Sequence, residues 1–585
     1  MKQKKVSYWP YLRKNLRWLA VGPLFVAAGG VLEQLQPRFM ANIVDNALRG
    51  AGLTDAARMD IIWQNGLSML LIALVRVLCG VLGIYFISVG AFRFGSDLRR
   101  AMYQKVQSYA YSNVDKFSTA SLVTRLTNDV SNIQNTVTQT LRMTTFTGAM
   151  LITGVVNAVQ INSSLAALTL MAVPVIAGII SFVVVKGFPM FRKMQQKIDA
   201  LGARVQETAV NVRVIKSFVR EDYEQQRFEQ ASHDLYQHSV RASTLMIVIG
   251  PAMQLVMNVI TLLALWFGAD MVQTGAMEVG DLMSYNTYIM HILMSMMMMS
   301  MTLIMFSRAK ACSIRIREVL GEQTDIAEPA APVTEPVRRG EVEFRNVTFR
   351  YHADSPDPVL QNISFSLKAG EVLAIVGATG SAKSTLVNLI PRLYDVSEGA
   401  VLVDGVDVRD YSIATLRGGI GMVPQNNVLF SGTVADNIRW GCPEATDEQV
   451  EQAARDAQAH DFITSFPQGY QTPINQGGVN VSGGQKQRLC IARAMIKKPA
   501  ILILDDSTSA VDTDTEARIR QSFRTNLKDT TVILIAQRIS SVYDADRILI
   551  LDDGKMAGLG THEQLLQSNE IYREILHSQQ REVQE

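Results

Sequence analysis

The sequence predicts two unlike domains in one chain: an all-α membrane domain of six transmembrane helices, followed by an α/β domain built around a phosphate-binding loop. Three observations predict this. Six apolar stretches long enough to cross a bilayer lie before residue 310; a strand-like run, Val372–Val376, leads straight into the glycine-rich segment GATGSAKST, Gly377–Thr385; and a second apolar run, Ile501–Asp506, ends in paired carboxylates.

The spans fall at roughly residues 18–40, 66–92, 140–161, 164–188, 243–268 and 282–306, against the about 20 helical residues a bilayer requires. Their flanks orient them. Arg93, Arg99, Arg100, Lys105, Lys116 and Arg125 lie between the second and third spans, and Lys186, Arg192, Lys193, Lys197, Arg204, Arg213, Lys216 and Arg220 between the fourth and fifth. The opposite loops, Asn162–Ser164 and Ala269–Gly280, hold no Lys or Arg. Cytoplasmic loops carry the basic excess, so both termini and the α/β domain are expected in the cytoplasm, on a multi-pass protein of the cell membrane. The two basic stretches are long and helically patterned, which predicts spans extended into the cytoplasm. Before the first span, Tyr8, Trp9, Tyr11 and Trp18 interleave with Arg13, Lys14 and Arg17, as in a helix lying among lipid headgroups.

Inside the spans Glu33 and Arg76 need a partner or a cavity, because charge in hydrocarbon is costly. The sixth span carries Tyr285, Tyr288, Met290, His291, Met294 and Met296–Met299, which reads either as a soft surface for varied apolar ligands or as ordinary helix packing.

Composition agrees with a membrane protein. Hydrophobic residues make up 48% of the 585 and charged ones 19%, more apolar than a typical soluble chain. A formal net charge of +2 supplies no basic surplus, so no nucleic-acid partner is expected. Cys79, Cys312, Cys442 and Cys490 follow neither metal-ligand nor disulfide spacing, which suits a reducing cytoplasm. The basic start, Met1–Val6, lacks a following short apolar core with a cleavage site, so the first apolar segment is expected to stay as an anchor.

The expected domain borders are 1–320 for the membrane domain, 321–340 for a linker bearing Pro329, Pro332 and Pro336, and 341–585 for the nucleotide-binding domain. In the loop, Gly377, Thr379, Gly380, Ser381 and Ala382 present backbone N–H groups to phosphates, Lys383 reaches the β- and γ-phosphates, and Ser384, followed by Thr385, offers a hydroxyl to Mg²⁺. Asp505 is delivered to the same metal by a buried strand. ATP and Mg²⁺ are therefore the expected cofactors.

Between these motifs lies VSGGQKQR, Val481–Arg488, whose Ser482, Gly483, Gly484 and Gln485 resemble the signature of the ATP-binding cassette family. With six spans ahead of it, the whole chain resembles a bacterial ABC exporter half-transporter of the multidrug type. The resemblance implies an exporter-type membrane domain fused to a cassette ATPase, and two ATPs held between two cassettes, each by one chain's phosphate loop and the other's signature. It further implies that Tyr351 stacks on adenine, that Gln425 lies near Mg²⁺, that Asp512 belongs to the dimer-contact loop, and that FSTASLVTRLTNDV from Phe117 and NVRVIKSFVRE from Asn211 couple spans to ATPase.

The sequence departs from the family at its own phosphate site. Asp506 stands where the family has the glutamate that polarises water, Gln537 where it has the switch histidine, Ala382 where the loop has its last glycine, and Gln476 where an acid precedes the signature. A carboxylate one methylene short is displaced by on the order of 1 Å, enough to cost about 100-fold in an orientation-dependent reaction. The expectation is a heterodimer with a second half-transporter carrying Glu and His, exporting amphipathic or drug-like compounds from among membrane lipids. The alternatives are a homodimeric lipid or peptide exporter and a non-transporting, ATP-binding regulatory membrane protein.

Overall fold

A computed structural model of the chain describes residues 6–49, 53–352, 355–506, 511–536, 539 and 542–584. It forms two compact units, Met1–Gln107 with Thr119–Glu322, and Ser108–Ser118 with Gln323–Glu585.

The first unit is helical. Among the described residues its long helices are Leu16–Glu33, Asp55–Gln107, Val130–Ile161, Ser163–Val210, Glu221–Gln273 and Val279–Gly321, and the first continues past a break as Gln36–Asn42 and Ile43–Leu48. Each expected span lies within one of these six segments. Leu16–Leu48, Asp55–Gln107, Thr119–Ile161 and Glu221–Gln273 are long and apolar enough to cross a membrane, whereas the described apolar run of the fourth helix, Ser163–Ile179, is shorter. Some side chains within 164–188 and 282–306 lie outside the described set.

The break in the first helix has a local cause. Pro37 has no N–H, and the Arg38 N–H turns to Leu35 O at 3.1 Å, so the helix ladder leaves the carbonyl of the fully buried Gln34 over. Tyr288 donates to that carbonyl at 3.0 Å and Asn157 at 3.3 Å, while the Gln34 amide donates to Met150 O at 3.2 Å. Tyr288 and the equally buried Tyr285, bonded to Thr169 at 2.5 Å, thus belong to the helix packing. The aromatic part of the expected ligand surface on the sixth helix is corrected accordingly: these rings face neighbouring helices, and Met294 and Met299 are the exposed members.

Glu33 and Arg76 answer each other at 2.8 Å between the first and second helices. Below that pair the two backbones approach closely at glycines, as small residues in membrane helices allow. A Cβ on Gly83 would sit 3.1 Å from Val26 N and 3.2 Å from Gly22 O.

The second unit contains twelve strands among its described residues: β1 Val342–Phe349, β2 Leu360–Leu367, β3 Val372–Val376, β4 Glu398–Val403, β5 Val406–Asp407, β6 Ile420–Val423, β7 Gly432–Thr433, β8 Pro473–Ile474, β9 Ile501–Asp505, β10 Thr531–Ile535, β11 Arg547–Asp552 and β12 Lys555–Gly560. One sheet runs β2-β1-β4-β5 and a six-stranded sheet runs β12-β11-β3-β10-β9-β6, with β7 and β8 paired separately. From β11 to β6 every pairing in the larger sheet is parallel. Such strands are covered on both faces and read as unbroken apolar runs, which is why VLAIV and ILILD announced themselves in the sequence.

Eleven residues from between the second and third helices belong to this unit. The helix Tyr111–Phe117 accepts a hydrogen bond from Tyr394 on Asp115 at 3.0 Å, and Asn113 and Ser112 bond Gln323 O and Asp325 at 3.0 and 2.8 Å. The sequence places the first coupling segment at Phe117–Val130; the helix that joins the α/β unit ends where that segment starts. The residues after it stay with the membrane unit, held by Arg315 on the buried Asp129, with Nε at 2.7 Å, and by Arg125 on Glu318 at 2.9 Å.

Replacing Gly83 with Leu overpacks the contact of the first two helices at about 1–3 kcal/mol. We expect Gly83→Leu to lower the thermal midpoint of the detergent-solubilised protein, while Gly66→Leu on the same helix, with open space around its Cβ, leaves it unchanged.

Candidate functional site

The site lies at the carboxyl edge of the parallel strands, where α/β sheets hold ligands. β3 ends at Val376 and turns into the loop 377–382, after which the helix Lys383–Asn388 begins. β9 ends at Asp505, two places along the sheet, and β10 between them sets Ile535 in register with both Ile375 and Asp505. Ser384 bridges the gap by donating to Asp505 Oδ1 at 3.0 Å.

Asp505 is buried. Burial pushes its carboxyl above the usual range and the Asp506 charge adds to this, while the Ser384 hydrogen bond and the Lys383 charge oppose it. Lys383 is pulled below its ordinary value by burial, against Asp505 and Asp506. Its ammonium donates to Gly377 O and Ala378 O, both at 2.8 Å, so it lies folded across the loop.

A Cβ at Gly377 would come within 2.7 Å of Ser381 Oγ and closer still to Leu551 O, so only glycine fits there. Ser381 is buried beneath the loop, Thr379 and Gly380 are exposed, and Gly380 has φ +87°. Ala382 takes φ 68°, ψ 24°, the left-handed region, so alanine holds a conformation that glycine adopts without cost. Asp506 also has positive φ, 48°, and donates its N–H to Ile535 O at 3.2 Å.

Tyr351 follows β1 and is exposed, its hydroxyl 2.9 Å from that of the buried Thr385 and its ring edge-on to Phe349 and Tyr394. Gln425 lies two residues past β6 on the same sheet edge with its side chain exposed. The structure thus brings together Lys383, Ser384, Thr385, Asp505, Asp506 and Tyr351. Gln537 lies outside the described residues.

The signature is elsewhere. Ser482 caps the helix Gly483–Met495 by accepting from Gln485 N–H at 3.3 Å, and the Gln485 side chain accepts the Ser482 N–H at 2.9 Å. That helix buries Leu489 and Ile491 in a core distinct from the one holding Leu386 and Val387 behind the phosphate loop. Among the described residues no hydrogen bond joins Ser482–Gln485 to residues 377–385. Asp512 caps the helix Thr513–Asn526, accepting from Thr515 N–H at 2.9 Å, and that bond holds its carboxyl below the usual range. Sequence reasoning missed Tyr394, Tyr111 and Asp115, whose significance comes only from their meeting in space.

Oxygen donors suit a hard cation. The Ser384 hydroxyl and one buried carboxylate, Asp505, match the sparse protein ligation of Mg²⁺, which takes its remaining oxygens from phosphates and water. No cluster of three or more His, Cys, Asp or Glu suited to a metal occurs among the described residues. Fold and site together define a membrane-embedded, nucleotide-binding ATPase.

Comparisons with known proteins agree. Residues 19–297 match the ABC transporter transmembrane region and residues 360–509 the ABC transporter family. The chain is 37% identical to the uncharacterized ABC transporter ATP-binding protein YfiB of Bacillus subtilis, covering 94% of both chains. It is 32% identical to the probable multidrug resistance protein YheI of the same organism, over 98% of this chain and 96% of that one. It is 33% identical to the ATP-dependent lipid A-core flippase of Syntrophus aciditrophicus, over 86% and 83%. A bacterial Atm1-family ABC exporter solved with ATP bound superposes with a TM-score of 0.79 at 28% identity, covering 97% of this chain and 98% of that one. The chain belongs to the ABC transporter family: it is an exporter with fused transmembrane and ATPase domains, driving transport across a membrane with ATP and Mg²⁺.

The left-handed alanine gives a direct test. Relieving one such residue is worth about 1 kcal/mol, or about 2–4 °C in a domain of this size. Ala382→Gly is expected to raise the unfolding midpoint of the ATPase domain by that amount in scanning fluorimetry without nucleotide.

Proposed function

We propose that this chain is the weakly hydrolytic half of a heterodimeric exporter of amphipathic or drug-like compounds in the cytoplasmic membrane. Its termini and its ATPase domain, bounded at about residue 341 by the linker 321–340, lie in the cytoplasm. The observation that carries the reading is Asp506 directly after the metal carboxylate Asp505, at the position of the water-polarising glutamate. A shorter carboxylate on the same backbone cannot reach as far, and hydrolysis of a phosphoanhydride depends on positioning the attacking water. Ala382, in the left-handed region, and Gln537 belong to the same phosphate-loop site.

The residues divide by partner. Lys383 and the loop N–H groups bind phosphates, Ser384, Asp505 and Gln425 serve the metal, and Tyr351 stacks on adenine. Ser482, Gly483, Gly484, Gln485 and Asp512 complete the site of the other subunit, whose own Glu and His do the faster chemistry. Support for a second chain comes from the helix Val212–Ser217 and the two residues after it, where Val214, Phe218 and Val219 are 55, 73 and 81% exposed; apolar groups this open await a cover. Likeness to YheI and to the flippase favours amphipathic cargo, and a homodimeric lipid exporter is the second reading that the flippase supports.

The chain should be purified with its native neighbours and its ATPase rate compared with and without a co-purifying cassette protein. Alone it is expected to turn over slowly, and Asp506→Glu, with Gln537→His, to raise that rate on the order of 100-fold. Brisk hydrolysis by the self-paired wild type would overturn the proposal.

A further inference from the structure

We infer that the cavity between the first, second, third and sixth helices of the membrane unit binds an amphipathic organic anion, with Arg142 contacting its headgroup. The inference rests on the exporter reading above and names the class of its cargo. The cavity measures about 360 Å³ and is walled by Val26, Val77, Ile84, Met143, Phe146 and Met298, with Arg76 and Arg142 as its charged members. That volume falls in the range of about 300–1,000 Å³ typical of small-molecule sites.

The two arginines are not equivalent. Arg76 lies 2.8 Å from Glu33, so its charge is answered within the chain. Arg142 is exposed and forms no ion pair or hydrogen bond with any described residue. The cavity therefore carries one surplus positive charge on an otherwise apolar wall. A guanidinium there repels cationic amphiphiles and gives neutral ones hydrogen bonds without charge pairing, whereas a phosphate, sulfonate or carboxylate gains paired charge and two hydrogen bonds from its fork.

The position fits a headgroup. Ile161, where the third helix ends beside a loop without Lys or Arg, lies about 28 Å along the axis from Arg142 at 1.5 Å per residue. A hydrocarbon layer of about 30 Å then sets Arg142 near the opposite boundary. Phe146, one turn further on, and Met298 offer the tail a polarizable surface deeper in.

The test uses the full-length protein in nanodiscs of zwitterionic lipid and two fluorescent probes of equal chain length, a dansyl-tagged dodecyl phosphate and its trimethylammonium counterpart, followed by anisotropy. The phosphate is expected to bind about tenfold more tightly, the equivalent of one charge-assisted hydrogen bond. Arg142→Gln should bring the two probes to parity and Arg142→Lys should keep the preference, with ATP binding unaltered in both variants as proof of folding. Equal binding of the probes by wild type, or an unchanged preference in Arg142→Gln, would overturn the inference. Competition identifies the natural source: displacement by phosphatidylglycerol assigns a membrane lipid, displacement by naphthalenesulfonate an aromatic drug-like anion, and displacement by neither sinks the proposal. In sealed inverted vesicles with ATP, movement of both probes without charge preference refutes the anion site and leaves export standing. Selective binding without movement refutes the reading of such anions as cargo and leaves the site.

Discussion

The hydrogen bond from Ser384 to Asp505 is the constraint on which the ATPase domain depends. A carboxylate at the end of a buried strand loses most of its hydration, and without a partner it is driven toward its neutral form, which binds a cation poorly. The partner comes from a helix that starts only after β3 has ended and turned, so the two strands must finish level with each other. β10 enforces that level by pairing with both, Ile535 lying opposite Ile375 on one side and Asp505 on the other. A slip of one residue in either ladder would send the carboxylate to the wrong face of the sheet. Lys383 feels the charge of both Asp505 and Asp506, and its own charge in turn favours the ionised Asp505.

Two of the departures from the family fall at backbone positions with positive φ, where the chain leaves the sheet edge. Asp506 makes the turn out of β9 and Ala382 the turn into the helix after β3. Aspartate tolerates the left-handed region better than most residues, since its short polar side chain can bond locally, whereas alanine carries the steric penalty with no compensation. Both turns lie beside the Ser384–Asp505 hydrogen bond, one leading into the Lys383 helix and one out of β9. The signature helix keeps its reciprocal cap, and because Ser482 and Gln485 satisfy each other's backbone, the N–H groups of Gly483 and Gly484 stay at an exposed helix start.

Much of this was legible in the sequence because it is written locally. Apolar length marks a membrane helix, an unbroken β-branched run marks a strand covered on both faces, and a glycine-rich turn between strand and helix marks a phosphate loop, each within a dozen or so residues. What was not legible depends on distant partners. Tyr288 reads as part of a soft ligand surface until Pro37, some 250 positions earlier, is seen to leave a carbonyl that it must satisfy. Whether Ala382 is strained depends on the sign of one torsion, which its residue type does not state. The helix Tyr111–Phe117 is only about two turns long, too short for its periodicity to name a partner, and its place shows in Asp115 meeting Tyr394.

That meeting bears on how the ATPase domain is built. The chain leaves the membrane unit at Gln107, lends eleven residues to the other unit, and returns at Thr119. The borrowed helix packs Tyr111 against Tyr394, with ring centroids 6.1 Å apart, and Tyr394 stands edge-on to Tyr351 at 5.2 Å. Tyr351 in turn is tied through its hydroxyl to Thr385, on the helix that carries Lys383 and Ser384. Burial and the Asp115 charge both push the Tyr394 hydroxyl upward, so it stays protonated and keeps donating across the physiological range. The helix that carries Lys383 and Ser384 is therefore joined by two hydrogen bonds and a row of aromatic rings to the segment Ser108–Ser118, which the chain enters from Gln107 and leaves at Thr119. Edge-to-face rings hold direction as well as distance, so a shift of the Lys383 helix that moves Thr385 must either carry the Tyr111 segment with it or break the row.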